Sequence, residues 1–382
     1  MPTALIVGAG VFGSSLARQL AIDGWDVTLV DQESPGWRGS SSGGESRLLR
    51  FSHGSEAWYA RSARRARELW NQIDPSLLSE TGIAWFAHRD DGWEAHSERI
   101  LRAEGIPVER LEPGEAAALF PSFGGDDLAW VLFEPEGGVL AASRAVAVLA
   151  EQAREAGARL VRGRALPDGD RVRIEESRSD AGCHAPATLE ADHVIWACGP
   201  WLAGLFPGLA EVRPALQEVV FLDAPGWERA PGWVDYDASF YGHGDLGDGF
   251  KAATDAEGDT VDPDSHGDLG GATCVVIAGY AARRFPALAS APIRSCRPCL
   301  YELTADTHFI AAPHPEQPSV WLLGGGSGHG FKHGPALAER MAAWLRGDEP
   351  PDPRFALGPR AVDTSLRTAG ARATSIGTRL QT

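Results

Sequence analysis

The first thirty residues of the chain alternate between apolar runs and a helical pattern. Residues 3–7 (TALIV) and 26–30 (DVTLV) are short apolar runs, and residues 11–23 between them carry apolar side chains at helical spacing. Short apolar runs are typical of buried strands, and the intervening spacing is typical of a helix that covers such strands. The pattern therefore predicts a βαβ unit at the start of the chain.

The same patterns predict further elements along the chain. Helices are predicted over 58–73, from an N-cap at Ser143 to near Gly157, and over about 335–346. Strands are predicted over 158–163, 192–199, 216–222, 273–278 and 319–323. Small and polar residues predict loops at 37–46 and 242–271, whereas the Pro-rich tail beyond the last helix gives no readable pattern.

Length and composition are those of a globular protein. The 382 residues are enough for two packed units, and 43% of them are hydrophobic and 23% charged. Every apolar run is shorter than the roughly 18 residues that a membrane span needs. The N-terminus lacks the basic segment of a signal peptide, so a cytoplasmic location is expected.

The formal net charge of −17 restricts the partners of the protein. Phosphate backbones and anionic membrane surfaces would be repelled, so neither nucleic acid nor a membrane is expected as a partner. A small anionic ligand would have to be held by locally placed cations. No metal site is expected.

The βαβ unit carries a glycine motif, with Gly8, Gly10 and Gly13 in the order GxGxxG and Asp31 at the end of the second strand. The first glycine allows the tight turn, the second lets the backbone approach a pyrophosphate, and the third lets the helix pack closely on the sheet. An acid at this position can accept hydrogen bonds from ribose hydroxyls. The motif predicts a bound dinucleotide; the alternative is a glycine-rich turn in an unrelated α/β protein.

Three segments then show a family resemblance: 44–54 (GESRLLRFSHG), 299–315 (CLYELTADTHFIAAPHP) and 324–334 (GGGSGHGFKHG). In this order they resemble the monomeric sarcosine oxidase and N-methyltryptophan oxidase family, which lies within the D-amino-acid-oxidase-like FAD flavoproteins. The resemblance is strong in 3–70 and 294–345, and it is thin in 84–138 and 160–190.

The resemblance implies a mixed α/β (α+β) fold. A Rossmann-type FAD-binding domain of discontinuous segments would be joined to a substrate domain with a large, mostly antiparallel sheet. The expected bounds are 1–83, 139–214 and 294–382 for the FAD-binding domain, and 84–138 and 215–293 for the substrate domain. The close relatives act as monomers, so a monomer is expected.

The implied activity is oxidation of the C–N bond of a small secondary amine, or of an N-substituted or cyclic amino acid, to an imine. Oxygen would take up the electrons and give hydrogen peroxide. Two alternatives stay open: a cyclic imino acid oxidase of specialised metabolism, and a flavin dehydrogenase with an acceptor other than oxygen.

Cys299 matches the position at which the family joins the flavin to a cysteine sulfur, because a thiolate is needed near the electrophilic ring. The chain has five cysteines, an odd number, widely spaced except for Cys296 and Cys299, so a disulfide framework is not expected. Cys296 stays open as a second attachment point. A redox CxxC pair and two buried thiols are the other interpretations.

A second group of residues matches the family's substrate site. Arg50 and Lys332 match its carboxylate clamp, in which a planar guanidinium fork and an ammonium bind one carboxylate. Tyr241 and Tyr301 match tyrosines that border the substrate. Ordinary surface cations and ordinary core packing are the respective alternatives.

A third group matches residues around the flavin ring. Arg47 and Ser46 would lie beside it, Gly328 and His329 would lie beneath it, and Lys332 would border it as well as the substrate. Lys251 matches a lysine whose positive charge favours electron transfer to oxygen. His329 could instead be a hydrogen-bonded core histidine.

One position departs from the family. Four residues after Lys251 the sarcosine oxidases carry a histidine, whereas this chain has Asp255. An acid there could hold a protonated amine or another polar group, and the amine must lose a proton before or during binding. Sarcosine itself is therefore a less favoured substrate.

Overall fold

The computed structural model describes residues 1–175, 187–256, 258–265, 271–363 and 365–366. Its strands are β1 (Thr3–Val7), β2 (Asp26–Asp31), β3 (Ser46–Leu49), β4 (Leu78–Ser79), β5 (Ile83–Ala87), β6 (Glu109–Leu111), β7 (Trp130–Glu134), β8 (Gly138–Ala141), β9 (Arg159–Arg162), β10 (Arg164–Asp168), β11 (Arg171–Glu175), β12 (Ala187–Leu189), β13 (His193–Trp196), β14 (Arg213–Leu222), β15 (Gly232–Asp235), β16 (Phe240–His243), β17 (Phe250–Thr254), β18 (Ile293–Leu303), β19 (Ile310–His314) and β20 (Gln317–Gly324). Its α-helices are α1 (Val11–Ile22), α2 (Ala57–Ile73), α3 (Trp93–Ala103), α4 (Pro113–Ala116), α5 (Ala142–Glu155), α6 (Leu202–Leu205), α7 (Ala272–Arg284) and α8 (Gly334–Arg346).

A six-stranded sheet in the order β19-β20-β13-β1-β2-β9 forms the nucleotide-binding half. All neighbours in it are parallel except β19 and β20. Because side chains alternate along a strand, Ile6 faces the core beneath α1, α2, α5 and α8, whereas Leu5 and Val7 face the small sheet β10-β11-β12. The sheet is thus buried on both faces, as its short apolar runs predict.

An eight-stranded sheet in the order β18-β14-β17-β16-β15-β5-β7-β6 forms the other half. Its pairs are antiparallel except β15 with β5. On one face Phe250 and Ala252 pack into a core with Tyr280 of α7. On the opposite face Ala253 and Tyr241 share a small cluster with β14. A third, short sheet, β3-β8-β4, carries the residues that follow the loop at 37–46.

The mixed α/β fold class predicted from the sequence is confirmed, as are the N-terminal βαβ unit and the helices over 58–73 and 335–346 within one residue at each end. The predicted strands at 158–163, 192–199, 216–222 and 319–323 are also present as β9, β13, β14 and β20. The loop predicted at 37–46 is confirmed up to Ser46, where β3 begins.

The strand predicted over 273–278 is wrong, because this segment lies in α7. Its β-branched residues favour a strand locally, but the buried positions Cys274, Ile277, Tyr280 and Ala281 recur at helical spacing over a longer window. The loop predicted over 242–271 is wrong in part, because the end of β16 and the whole of β17 lie inside it. Residues 257 and 266–270 of this range lie outside the described residues.

The N-cap predicted at Ser143 is also wrong. The helix begins at Ala142 with Ala141 at the N-cap position. The hydroxyl of Ser143 instead donates to the carbonyl oxygen of Gly44 at 2.7 Å. A tertiary partner thus takes the hydroxyl that the sequence pattern assigns to capping.

Cys274 and Cys296 form a disulfide, which the cysteine spacing does not predict. It also excludes a Cys296–Cys299 pair in this structure. The two cysteines lie 22 residues apart, on α7 and β18, and only the packing of the helix on the sheet brings them together. Cys198 and Cys299 are thiols. Among the helices that the structure describes, none is long and apolar enough to cross a membrane.

The predicted domain bounds stay a proposal. The strands of the six-stranded sheet lie within the segments assigned to the FAD-binding domain. Apart from Ile293, β18 also falls in one of those segments, but it pairs with β14 in the eight-stranded sheet. The long strands β14 and β18 therefore run along the boundary between the two halves.

Candidate active site

A deep cleft runs between the two halves, with about 1880 Å³ of empty space when its open mouth is counted. One end is bordered by Gly8, Gly10 and Asp31, and the other by Arg50 and Lys332. A cleft of this length suits an extended ligand together with a smaller one.

The glycine motif brings backbone to the floor of the cleft. Gly8 has a φ of 105°, and a side chain there would collide with the carbonyl of Ala197 at the end of β13. A side chain at Gly13 would collide with the carbonyl of Gly8, so Gly13 itself lies beneath the turn rather than in the cleft. Gly10, Val11 and Phe12, at the N-terminus of α1, border the cleft, where the positive end of the helix dipole would favour a phosphate; the N–H of Val11 donates to the hydroxyl of Ser42 at 3.0 Å.

Asp31 closes this end of the cleft. Its carboxylate accepts hydrogen bonds from the backbone N–H groups of Ala9 at 2.5 Å and Glu33 at 2.8 Å. Burial raises the pKa of Asp31, and these hydrogen bonds oppose that rise. The carboxylate is thus fixed at the end of β2, where a ribose would lie if a dinucleotide occupied the cleft.

Arg47 organises the loop that precedes β3. Its guanidinium donates to the carbonyl oxygens of Ser41, Gly43 and Ser46 at 2.7–2.9 Å. It also lies 3.7 Å from the sulfur of Cys299. The arginine therefore holds the loop in shape and places positive charge beside the thiol, at the point where the loop meets β18.

Lys251 lies behind this loop and is only 4% exposed. Its ammonium donates to the carbonyl oxygen and the hydroxyl of Ser46, both at 3.1 Å. Burial and then the neighbouring charge of Arg47 lower the pKa of Lys251 to about 7. Lys251, Cys299 and Arg47 all border a second, smaller cavity, which holds about 630 Å³ of empty space including its mouth.

Ser46 is fixed from the other side by a histidine that the sequence does not mark. The hydroxyl of Ser46 is hydrogen-bonded to Nε2 of His243 at 2.7 Å. Burial and then the charge of Lys251 lower the pKa of His243 to about 3, so its ring is neutral at pH 7. Ser46 thus touches the lysine directly and does not border the large cleft.

Arg50 and Lys332 both line the cleft. The guanidinium of Arg50 donates to the carbonyl oxygen of Ser52 at 2.7 Å and lies 5.1 Å from the ring centre of Trp85. The ammonium of Lys332, only 1% exposed, donates to the carbonyl oxygen of His329 at 2.8 Å. Two cations in the lining of one cleft thus provide local positive charge on an acidic chain.

A buried carboxylate supports the segment that carries Arg50. Glu134, at the end of β7, accepts hydrogen bonds from the backbone N–H groups of Phe51 at 2.7 Å and Ser52 at 2.9 Å. It also accepts from the hydroxyl of Ser52 and from the indole N–H of Trp85, the latter at 2.9 Å. Burial raises the pKa of Glu134, and the hydrogen bonds from residues 51 and 52 oppose that rise.

The predicted pocket tyrosines meet above the cleft. The hydroxyls of Tyr241 on β16 and Tyr301 on β18 are 2.9 Å apart. Burial raises the pKa of Tyr241 to about 12, so its hydroxyl is protonated at neutral pH and can donate a hydrogen bond. Asp255 borders the same cleft, and its backbone N–H is bonded to the carbonyl oxygen of Ser239 at 2.7 Å.

His329 and Gly328 lie in the loop after β20 and border the cleft. Gly328 has a φ of 71°, a conformation that favours glycine. Nε2 of His329 is 2.8 Å from the carbonyl oxygen of Thr307, and the ring packs against His53 and Tyr59. The ring is thus part of the core at the floor of the cleft, and both interpretations of His329 stay open.

Several residues of the site are not predicted from the sequence. Besides Glu134 and His243, Glu302 borders the cleft and accepts a hydrogen bond from the backbone N–H of Gly326 at 3.1 Å. Burial raises the pKa of Glu302 to about 7. The CLYEL segment could have drawn attention to Glu302, because an acid follows the matched tyrosine directly.

The predicted residues therefore border two cavities, the large cleft and the smaller cavity, or lie directly behind them. The large cleft is bordered by Gly8, Gly10, Asp31, Arg47, Arg50, Tyr241, Asp255, Tyr301, Gly328, His329 and Lys332. The smaller cavity is bordered by Lys251 and Cys299, and Arg47 borders both. Gly13 and Ser46 border neither cavity; Gly13 packs against Gly8, and Ser46 is hydrogen-bonded to Lys251.

Comparison with known proteins gives a consistent picture. A family model described as FAD dependent oxidoreductase matches residues 3–344. The chain is 26% identical over 364 residues to the monomeric sarcosine oxidase of Bacillus sp. (strain B-0618), a match that covers 88% of this chain and 90% of that protein. It is 25% identical over 367 residues to the N-methyl-L-tryptophan oxidase of Salmonella typhi, covering 91% and 95% of the two chains.

A solved structure shows the same fold. The L-proline dehydrogenase of P. horikoshii superimposes with a TM-score of 0.79 at 18% identity, over 93% of this chain and 96% of the other. The architecture thus extends over nearly the whole length of both chains.

Proposed function

Since this chain belongs to the family of FAD-dependent oxidoreductases, we propose that it oxidises the C–N bond of a small secondary amine or an N-substituted or cyclic amino acid. Oxygen is the proposed acceptor, which gives hydrogen peroxide. The amine and oxygen are its proposed partners, and it acts as a monomer. The observation that carries the substrate class is the presence of two cations, the part-buried Arg50 and the buried Lys332, in the lining of the cleft.

The cleft fits FAD on the evidence of its own residues. A side chain at Gly8 or Gly13 would collide with backbone, and Asp31 is fixed at the far end of the motif. These residues would hold the adenosine diphosphate portion, and Arg47 with the Gly328 loop would border the ring. Bound FAD supplies a two-electron acceptor for hydride removal from carbon.

Arg50 and Lys332 would bind the carboxylate of an amino acid substrate. A guanidinium forms two parallel hydrogen bonds with a carboxylate, and the ammonium adds a point charge. Placing them on one wall fixes the orientation of the substrate and thereby of its α-carbon. Glu134 keeps the Arg50 segment in place through its bonds to residues 51 and 52.

The amine end of the substrate would meet Tyr241, Tyr301 and Asp255. A protonated amine does not release hydride readily, so the ammonium form must give up a proton at the site. Asp255 would accept a hydrogen bond from the amine, and the hydroxyl pair of Tyr241 and Tyr301 would position it. A charged carboxylate in this place favours substrates with a further hydrogen-bond donor over sarcosine.

Lys251 would serve the reaction with oxygen. Its ammonium is held by Ser46 at the second cavity, away from the carboxylate clamp. A fixed positive charge stabilises the negative charge that develops as oxygen accepts an electron. Cys299 borders the same cavity beside Arg47, and a covalent flavin link through its sulfur is part of the proposal.

An anaerobic test separates the chemistry from the acceptor. Purified protein is mixed without oxygen with a panel of N-methyl amino acids, cyclic imino acids and simple amines, and loss of the oxidised-flavin absorbance is followed. We expect reduction by at least one amino acid on the panel, followed by return of the colour and stoichiometric peroxide when oxygen is admitted. Absence of reduction by every amine would refute amine oxidation.

The same experiment decides between the two alternatives. Reduction by cyclic imino acids with much higher kcat/KM than by N-methyl amino acids would assign the cyclic substrate class. Rapid reduction with slow return of colour in oxygen would assign a dehydrogenase.

A further inference from the structure

Residues 362–363 and 365–366, here called the C-terminal segment, lie beside the large cleft, which Leu366 borders. Leu366 is only 2% exposed, borders the cleft and belongs to the core cluster that also contains residues of α2 and α8. By contrast, Val362, four residues earlier, is 78% exposed. Within the described residues the segment thus passes from the surface to a buried position at the cleft.

The segment is fixed there by hydrogen bonds from two sides. The backbone N–H of Asp363 donates to the carbonyl oxygen of Ala305 at 3.1 Å. The indole N–H of Trp93 donates to the carbonyl oxygen of Ser365 at 2.7 Å. A side chain at Gly54 would collide with this bond, so the glycine leaves room for it. A bond to the residue directly before Leu366 limits where its side chain can go.

Trp93 links Leu366 to the proposed carboxylate clamp. The centre of its ring lies 4.5 Å from the ring centre of Tyr236, and the two rings are nearly parallel. It also lies 4.8 Å from the ring centre of Trp85. Trp85 in turn lies under the guanidinium of Arg50 at 5.1 Å. All five residues border the cleft. An apolar wall therefore begins beside the clamp and ends at the C-terminal segment.

We propose that Leu366 and the aromatic rings of Trp85, Trp93 and Tyr236 form the subsite for an apolar substituent of the substrate, and that Leu366 limits its size. This inference rests on the proposed function, because it takes the substrate carboxylate to lie at Arg50. The substrate class becomes an amino acid whose side chain is aliphatic or aromatic. A charged side chain would lose its hydration against this wall without gaining a partner there.

The test uses Leu366→Ala and Leu366→Trp in the FAD-bound, full-length protein. Values of kcat/KM are measured for N-methyl derivatives of glycine, alanine, leucine and phenylalanine. We expect Leu366→Ala to shift preference toward the larger side chains by about tenfold, because a few methylene groups in an apolar pocket change discrimination by this order. Leu366→Trp is expected to shift it the opposite way.

Val362→Ala is the matched control, since it truncates an exposed apolar residue of the same segment. It should leave the ranking of substrates unchanged. A uniform fall in kcat/KM for all substrates in both Leu366 variants, with the ranking kept, would show ordinary core packing and overturn the proposal. Trp93→Phe keeps the ring but removes the bond to Ser365, and it should shift the ranking in the direction of Leu366→Ala.

A binding assay tests the subsite separately from the proposed function. If no amine reduced the flavin of the wild-type protein, binding could still be followed through the change in flavin absorbance on adding acetate, butyrate or phenylacetate. The subsite predicts that affinity rises with the apolar part in the wild type and that Leu366→Trp abolishes this rise. Equal affinities for the three acids in all variants would overturn the subsite independently of turnover.

Discussion

Replacing Glu134 tests whether a buried carboxylate holds the chain that carries Arg50. The two carboxylate oxygens of Glu134 accept different numbers of hydrogen bonds. One accepts from the N–H and hydroxyl of Ser52 and from the indole of Trp85, and the other accepts from the N–H of Phe51. Glu134→Ala removes every acceptor, whereas Glu134→Gln can keep the first oxygen and loses only the bond from Phe51.

The magnitudes follow from the number of donors left without a partner. In Glu134→Ala four donors lose their acceptor: the backbone N–H groups of Phe51 and Ser52, the hydroxyl of Ser52 and the indole N–H of Trp85. The hydroxyl can rotate to another acceptor, so we expect the free energy of unfolding to fall by about 3–5 kcal/mol. In Glu134→Gln only the N–H of Phe51 loses its acceptor, so we expect the free energy of unfolding to fall by about 1–3 kcal/mol. The KM for the amine should rise in both, because the Arg50 segment is less well fixed.

Urea unfolding with excess FAD, followed by tryptophan fluorescence and flavin absorbance, measures these differences. Glu136→Ala is the control, since its side chain is 43% exposed and lies 4.0 Å from Arg67. That variant should stay within about 0.5 kcal/mol of the wild type. Equal stabilities of Glu134→Ala and Glu134→Gln would refute the reasoning, because the size of the effect must follow the number of orphaned donors.

Three further predictions concern charge and the flavin link. Lys251→Met should slow reoxidation by oxygen about 10²–10³-fold in stopped-flow mixing, while amine-driven reduction changes little; equal slowing of both steps would exclude the assigned role. In the wild type the reoxidation rate should fall as pH rises through about 7, since the pKa of Lys251 lies near there and the ammonium is lost, and this pH dependence should vanish in Lys251→Met. Acid-precipitated protein should remain yellow, Cys299→Ser should lose this colour, and Cys198→Ser should keep it; a yellow Cys299→Ser pellet would move the link elsewhere. Burial raises the pKa of Glu302 to about 7, whereas an unfolded glutamate releases its proton near its ordinary pKa of 4.5. Between these two pKa values the folded state binds the proton more tightly, so the free energy of unfolding should decline as the pH rises from about 5 to about 7. Glu302→Gln should flatten that decline in urea unfolding, and an unchanged pH profile would contradict it.

Much of the nucleotide-binding half could be predicted, because its information is local. The glycine motif, the apolar runs and the acid at Asp31 all lie within 31 residues, and each has one physical reason. Arg50 and Lys332 could be assigned because each lies inside a short motif with a family resemblance. Both side chains line the same cleft in the structure.

The substrate half could not be predicted in the same way, because its contacts join distant segments. Glu134 meets its hydrogen-bond partners 82, 83 and 49 residues away, so no local pattern marks it. Strand β5 pairs in parallel with β15, about 150 residues later, in a region where the resemblance is thin. At 273–278 the β-branched residues predict a strand, whereas the helical spacing of the buried residues becomes visible only over the full length of α7 (Ala272–Arg284).

We propose that a flavin ring lies between the Arg47–Arg50 segment and the Gly328–Lys332 loop, with an amine anchored by its acid group over one face. A crystal structure of the FAD-bound protein with an unreactive carboxylate, such as phenylacetate, tests it most directly. We predict the carboxylate within hydrogen-bond distance of both Arg50 and Lys332, and a bond from the sulfur of Cys299 to the flavin. A carboxylate bound elsewhere, or a flavin outside this cleft, would contradict the account.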